Sequence, residues 1–511
     1  MSRFLYFFSL LLLCTSPAWV VAQQYSALWG QHGEAWQPGS RLPDFSYAGY
    51  HYGEDPLPEV ATVLNIKDFG AIGDGLHDDS EAMLKALDQL ENGALLLPEG
   101  TYRITQVIRI TKPNVVIRGE GMDKTTLFFP HYLNDLEPNW GSTTEGRPTS
   151  NYAWSGGFIR VEGEYECEKL ADITQPAQRG EHTLTVATDN LNAGGQWIEI
   201  QMQDDSAHSL LNHLYANDPA SVARWGRVHH TNFTARIDNI WGKTITLNRP
   251  LRFDLRPEWQ PAIYTYQPTV TEVGIEGLTM EFPVEPYQGH FTELGFNGIT
   301  LGDVAHCWIK NIRFKNADSG IFLNGQFCTI DGVLYESDRD KEPQRQSTGH
   351  HGIYISDNDN VFNRFVFKTK FIHDISVSHC AGNVISDGSG VDICFDHHKR
   401  APYANLFTNI HLGEGSRMWQ SGGGGELGRH TAAWATFWNI RANRPLAWKE
   451  GFGPDLVNLV GLTTNLPSET QTEGLWFEAI SPNQLYPQNL HQAQLNQRLN
   501  QPMKGSFRTD E

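Results

Sequence analysis

From residue 270 onward, apolar residues recur in short alternating runs separated by Gly, Asn and Asp. VTEVGIEGLTMEF, NGITLGDVAHCWIKNIRFKN, SGIFLNGQFCTIDGVLYES, HHGIYISDNDNVFNRFVFKT, IHDISVSHCAGNVISDG and GVDICFDHH follow one another, and none shows a helical period. Alternation of period two marks each run as a strand with one buried face. The runs also align with one another. Ile299 and Ile321 are 22 residues apart, as are Ile353 and Ile375. Ile321 and Ile353 are 32 apart, because SDRDKEPQRQSTG lengthens that coil. No single run can bury its own face, so a repeat of short strands at this period predicts stacked coils with one continuous core. The class read from the pattern is all-β, a parallel β-helix solenoid. A β-sandwich lacks this aligned repeat, and the Leu and Asn spacing of leucine-rich repeats is absent.

The same alternation sorts the two faces. Ile299, Leu301, Ile321, Leu323, Ile353, Ile355, Ile375, Val377, Val391, Ile393 and Phe395 point inward. Thr300, Phe322, Tyr354 and Ser376, followed by Asp392 or Cys394, form an outward row on which a saccharide could lie.

The pattern divides the rest of the chain. Residues 1–22 have an early Arg, an apolar stretch and a Val-Val-Ala end, the pattern of a secretory signal peptide, with export to the periplasm or outside as its consequence. Residues 23–60 are rich in Pro, Gly and Trp and read as an extended arm. Residues 61–132 hold a helix with Ala82, Met83, Ala86, Leu87 and Leu90 on one face, followed by the first coil strands. Residues 133–269 break the coil rhythm with pieces such as GQWIEIQM and KTITLNRPL and read as a β-rich, mainly antiparallel insert. Residues 270–484 are the main coils and their loops, and residues 485–511 read as a polar tail.

VLNIKDFGAIGDGLHDDSEAMLKAL (63–87), continued by GALLLPEGTYRI, resembles the opening of pectate-lyase-like β-helix proteins. The resemblance implies a right-handed β-helix with a short N-terminal capping helix. It is unspecific for chemistry, since that superfamily includes polysaccharide lyases, glycoside hydrolases, epimerases and phage tailspikes. Asp74, Asp78 and Asp79 lie in this opening and read as turn and cap residues.

Composition narrows the partners. The net charge is −20 and no basic tract dominates, which argues against nucleic acid. No segment after residue 22 is apolar enough to span a bilayer. Five cysteines follow the leader, too few for a disulfide scaffold in 511 residues, and they read as small buried residues with room for one bridge.

Candidate chemistry concentrates late in the chain. GHHGIYISDNDN brings His350, His351 and Tyr354 together, and VDICFDHHKRAPY brings Asp392, Asp396, His397, His398, Lys399 and Arg400. Arg417, Arg429, His430 and Trp434 follow in a Gly-rich segment. Adjacent histidines in a regular strand point apart and the spacing matches no zinc motif, so no metal ligand is assigned. Ca²⁺ is the one cofactor with a candidate place, at the oxygens of Asp357, Asn358, Asp359 and Asn360, where an asparagine-rich turn is the simpler account.

Two reactions fit these residue types. β-Elimination on a uronate polysaccharide needs a cation to neutralise the C5 carboxylate, a base for the C5 proton and an acid for the leaving oxygen. For it the catalytic set is His351, Tyr354, His397, His398 and Lys399, with His350, Arg400, Arg417, Arg429, His430 and Trp434 as substrate contacts. Glycoside hydrolysis of a neutral or sulfated polymer needs two carboxylates, for which Asp392 and Asp396 are the pair. The density of bases over carboxylates between residues 397 and 449 favours the lyase and an anionic polysaccharide. A non-catalytic glycan-binding role is the third reading.

Overall fold

A computed structural model of the chain describes residues 22–226, 228–464 and 471–500. The leader pattern and the last eleven residues of the polar tail fall outside them. Among the described residues the body is a parallel β-helix. One face is a seven-stranded parallel sheet that takes, in spatial order, Ile108–Ile110, Ile159–Glu162, Asn297–Ala305, Ser319–Gln326, Gly349–Ile355, Phe371–Val377 and Phe395–His397. The rungs follow the sequence period, with Ile299 beside Ile321, Ile321 beside Ile353, Ile353 beside Ile375 and Ile375 beside Phe395. All five side chains are buried in one apolar core. The longer coil bulges out between Glu336 and Gly349, so the strands on either side keep their register.

The Gly before each core Ile has a steric cause. A Cβ on Gly320 would lie 2.5 Å from the Gly352 carbonyl and 2.5 Å from Tyr335 Cε1. Gly298 and Gly352 meet the rings of Phe314 and Phe367 in the same way. These aromatics come from the opposite face of the coil and stack on one another, Tyr335 on Phe367 at 4.3 Å. In the next coil Asp374 takes the glycine position. Its buried carboxylate accepts from Phe371 N and Cys394 N and pairs with Arg417.

Turns between coils are tied by an asparagine ladder. Asn360 accepts from Cys328 N, Asn383 from Asn360 N and Asn405 from Asn383 N, each side chain closing the coil before it. Most of the oxygens that the Ca²⁺ reading invoked are already engaged, with Asp357 Oδ1 accepting from Asn358 N. Asn360 belongs to the ladder, Asn358 accepts from Ala381 N, and buried Asp359 pairs with Arg249 and Arg252.

The helix Ser80–Gln89 covers the first coils with Ala82, Met83, Ala86 and Leu87 buried. Its opening acids are structural. Asp78 accepts from Ser80 N, Asp79 from Ile72 N and Gly73 N, and Asp74 from Leu76 N and His77 N. The insert is shorter than the broken rhythm suggests. Ile159–Glu162 pairs in parallel with strands on both sides and belongs to a coil. The insert is bounded by a short antiparallel neck, Tyr165–Glu166 against Gln267–Pro268. It carries a six-stranded antiparallel sheet with its own core. That core extends to Ala401, Tyr403 and Ala432–Trp434 of the coils.

Residues 485–500 are ordered, unlike the loose tail that their Gln and Asn content suggests. Leu490–Asn500 is a helix, and buried Gln494 accepts from Phe45 N and donates to the Pro43 carbonyl. Helix and arm together cover the outer face of the coils around Trp29, Phe45, Val384, Leu406 and Trp438. The long amide side chains satisfy backbone groups of the arm, a use that hydropathy does not register. Val391 is 47% exposed rather than inward, because the regular strand begins only at Phe395. Cys307, Cys328, Cys380 and Cys394 are buried, Cys167 is exposed, and all five are free. Among the described residues no helix is long and apolar enough to cross a membrane.

Candidate active site: a histidine-lined cleft

The outward face of the seven-stranded sheet is the floor of a cleft of about 1100 Å³. Two registers make up that sheet face, and from them Tyr354, His351 and His373 line the cleft itself. In the first, Thr300, Phe322, Tyr354, Ser376 and Asp396 stand side by side on successive strands. In the second, Ser319, His351 and His373 do so. The expected row therefore ends on Asp396, in place of Asp392 or Cys394. The strand begins only at Phe395, so Asp392 and Cys394 precede it, and Asp396, 20 residues after Ser376, takes the place in the row. Asp392 instead accepts from Ser416 N at 2.8 Å and Ser416 Oγ at 2.6 Å, and the Cys394 sulfur faces Asp374 N.

Loops raise the walls. The tip of the Trp140–Ser142 and Pro148–Ser150 hairpin brings Arg147, the loop before Asn297 brings His290 and Phe291, the lengthened coil brings Arg345, and Gln420–Gly424 closes the far side. The turn after His398 holds Lys399, Arg400 and Ala401 in the left-handed region, with φ of 61°, 64° and 55°. Three successive L-residues there are strained. Bonds from Arg400 N to the Leu427 carbonyl and from Ala401 N to Tyr215 Oη of the insert hold the turn. The turn is thus roofed by the insert, and Arg400 reaches the cleft from its exposed edge.

Six histidines line the cleft; His379 turns to the insert, bonding the His230 carbonyl, and the other five, His290, His350, His351, His373 and His398, converge. His350 and His351, expected to point apart, stack with ring centres 4.1 Å apart, since His350 sits at the loop end of its strand, next to Gly349. His351 lies 5.1 Å from His373 and 5.5 Å from Tyr354, centre to centre, and its Nδ1 is 3.3 Å from Ser376 Oγ. Asp396 anchors the group from below. It accepts from Ser376 Oγ at 2.7 Å, from His398 Nδ1 at 2.9 Å and from Gly422 N at 2.7 Å. His373 Nδ1 lies 3.2 Å from the same carboxylate but out of line for a hydrogen bond, and is left without a partner. His350 Nδ1 is also buried and unpaired, 3.5 Å from Glu293 Oε1. Each such orphan costs about 1–3 kcal/mol unless something fills it.

The electrostatics divide these rings. Burial alone would raise the Asp396 carboxyl, but His373, His398 and the Gly422 N–H hold it well below the usual carboxylate range. Burial opposes charge on His398 too, yet Asp396 prevails and raises that ring's pKa. Asp396 therefore favours the charged form of His398. Burial and its neighbours push His373 down to about 4, and His350 and His351 well below the usual range. Burial, His373 and Arg345 push His290 down to about 3. Those four are neutral at pH 7 and offer lone pairs. Burial pushes Tyr354 up to about 12, so its hydroxyl keeps its proton. Arg147, Arg345 and Arg400 are exposed at the cleft and have no carboxylate partner among the described residues.

Of the residues singled out from sequence, the structure brings together His350, His351, Tyr354, Asp396, His398 and Arg400. It puts the others elsewhere. His397 points into the core against Phe407, Phe437 and Phe452, because it follows Phe395 at the strand period. Lys399 is not on the cleft lining. Asp392 and Arg417 serve the backbone, Arg417 donating to the Asp392 and Phe371 carbonyls. Arg429 pairs with Asp218 of the insert, His430 bonds the His397 carbonyl and stacks on Phe452, and Trp434 is buried against the insert under Arg179. Sequence reasoning missed His290, His373, Arg147 and Arg345. His373 was within reach, being one 22-residue period after His351; the other three sit on loops with no repeat to place them.

Comparison with known proteins agrees with the architecture. Residues 63–135 match the family model described as rhamnogalacturonase A/epimerase, pectate lyase-like. Over these residues the chain is similar to pectate-lyase-like proteins, and its own coil topology is that of a parallel β-helix. Among curated proteins it is 29% identical over 114 residues to plasmin and fibronectin-binding protein A of Streptococcus pneumoniae, which is 20% of this chain and 16% of that protein. It is 40% identical over 116 residues to alginate lyase 7 of Azotobacter vinelandii, which is 20% of this chain and 14% of that protein. The match thus spans under a fifth of either relative. The tailspike protein gp49 from Pseudomonas phage LKA1 superposes with a TM-score of 0.48 at 13% identity, covering 78% of this chain and 64% of that one.

Proposed function

We propose that the cleft binds an anionic, uronate-containing polysaccharide and cleaves it by β-elimination. The observation that carries this reading is the composition of the cleft. Neutral imidazoles, His398 with its pKa raised by Asp396, Tyr354 and three arginines without carboxylate partners meet there. Asp396 beneath them is committed to His398, and the carboxylates nearest the cleft besides it are Glu145 on the lining and buried Glu293 beside His350. In the reaction so assigned, His398 and Arg400 neutralise the C5 carboxylate and so acidify the C5–H bond. His351 takes that proton. The C5 electron pair forms the C4–C5 double bond, the C4–O4 bond breaks, and O4 leaves with the Tyr354 hydroxyl proton. Arg147 and Arg345 hold neighbouring acidic residues of the polymer. The resemblance over residues 63–135, and alginate lyase 7 among the relatives, support polymer chemistry of this kind. The leader-like residues 1–22 suit an exported enzyme acting on such a polymer.

Hydrolysis is the weaker reading, because it needs two carboxylates flanking the bond and Asp392 is tied to Ser416 away from the lining. The test is digestion of a panel of uronate-containing and neutral polysaccharides, followed by ultraviolet absorbance of unsaturated uronates and product masses. Unsaturated ends are the expected result. Saturated products carrying one added water would replace the lyase with a hydrolase, and binding without cleavage would leave a glycan-binding protein.

A further inference from the structure

The neutral rings carry a second message. His290, His350 and His373 each offer a ring nitrogen, and these atoms lie within 4.8 Å of one another. Three imidazoles on one tetrahedral ion, at about 2.0–2.1 Å each, have nitrogens about 3.4 Å apart. Binding one ion requires the nitrogens to close by up to about 1.4 Å. The rings come from separate coils and a loop: His350 and His373 from adjacent floor strands, His290 from the wall. Two independent features point to an occupant. His350 and His373 are 2% and 5% exposed, and each keeps an Nδ1 with no hydrogen-bond partner. Beside them Glu293 Oε2 is also buried and unpaired, and Glu293 Oε1, which accepts from the Tyr287 hydroxyl, stands 3.5 Å from His350 Nδ1.

A second triad, His373, Asp396 and His398, shares one ring with the first. It is the poorer candidate, because Asp396 already accepts from Ser376, His398 and Gly422.

We infer that His290, His350 and His373 bind one divalent first-row transition-metal ion at the cleft wall, with Glu293 as the neighbouring carboxylate. Nitrogen donors select zinc-like ions over Ca²⁺, which takes oxygen ligands. The site rests on this geometry alone. A role for the ion in neutralising a substrate carboxylate rests on the lyase reading above.

The test uses the full chain, stripped with chelator, loaded with Zn²⁺ and separately with Ca²⁺, and desalted. Metal content by mass spectrometry, calorimetric titration and X-ray absorption are the readouts. Expected are one retained zinc per chain with nitrogen-dominated coordination, no retained calcium, and at least tenfold weaker zinc binding in His290→Ala, a wall position whose loss leaves the coils intact. Glu293→Gln should weaken binding by a smaller factor, and His430→Ala should bind as the parent does. No retained zinc, or unchanged affinity in both His290→Ala and a folded His373→Gln, overturns the site. Elimination assays on the same samples separate the two proposals. Zinc bound without unsaturated products supports the site and removes the lyase. Unsaturated products from a chain that retains no zinc do the reverse.

Discussion

Asp396 shows how much one side chain can organise. It is fully buried, yet its charge is kept by two imidazoles, a serine hydroxyl and a glycine N–H, and it raises the pKa of His398 in return. Asp396→Asn keeps the shape and removes the charge. Elimination should fall by roughly 10²-fold or more, while the thermal midpoint stays near that of the parent. An equal loss of midpoint and activity would make Asp396 a folding residue only. His397, its neighbour, makes the opposite case. It is buried among three phenylalanines with Nε2 unpaired, and burial pushes its pKa down to about 4. The unfolded chain protonates this residue near 6.5 and the folded chain does not until about 4. Stability is therefore fully present above pH 6.5 and is lost as pH falls towards 4, by roughly 3 kcal/mol at about 1.4 kcal/mol per unit. His397→Leu should remove that share of the acid sensitivity. Melting midpoints recorded between pH 7 and pH 4 check it, and parallel curves for the two proteins would count against it.

At the scale of elements, the coil rung is the unit that places chemistry. The Gly-Ile pairs exist because an aromatic ring from the far side of each coil packs on the glycine. Gly320→Ala would press a methyl group onto Tyr335 and the Gly352 carbonyl, and the urea midpoint should fall by the equivalent of about 1–3 kcal/mol. An unchanged midpoint would mean that the coil can open locally. The rungs also explain which part of the site was legible. Thr300, Phe322, Tyr354 and Ser376 form the expected row, and the alternation puts them on one face. The row failed at its end, where the regular strand begins only at Phe395, so the alternation read through Val391 and Ile393 named Asp392 when the paired residue is Asp396. His397 and His398, adjacent in sequence, were separated by the same alternation, one ring entering the core and the other the cleft.

At the scale of the molecule, the chain is strongly acidic while its cleft is lined by three arginines and one carboxylate, Glu145. Exposed Arg147, Arg345 and Arg400 come from three loops far apart in sequence. Their attraction for a polyanion is screened by salt. KM for an anionic polysaccharide should rise with NaCl. Arg345→Ala and Arg147→Ala should each raise KM by up to about fivefold, leave kcat nearly unchanged and flatten the salt dependence. Salt-independent KM values would show that the polymer is held by contacts other than charge.

The sequence by itself determined the solenoid, its period, the inward residues of the regular strands, and the histidine-rich character of the late coils. These are local or repeating properties, set by side-chain alternation and by the need of each coil for a neighbour. Only the tertiary structure decided which of those residues share a cleft. It drew Arg147, His290 and Arg345 in from walls that have no repeat, and assigned Asp392, Arg417 and Arg429 to backbone and ion-pair duties. It also bound the amide-rich C-terminal helix to the arm. Loops are positioned by what they pack against, and a hydrogen bond between distant segments leaves no periodic trace in the chain.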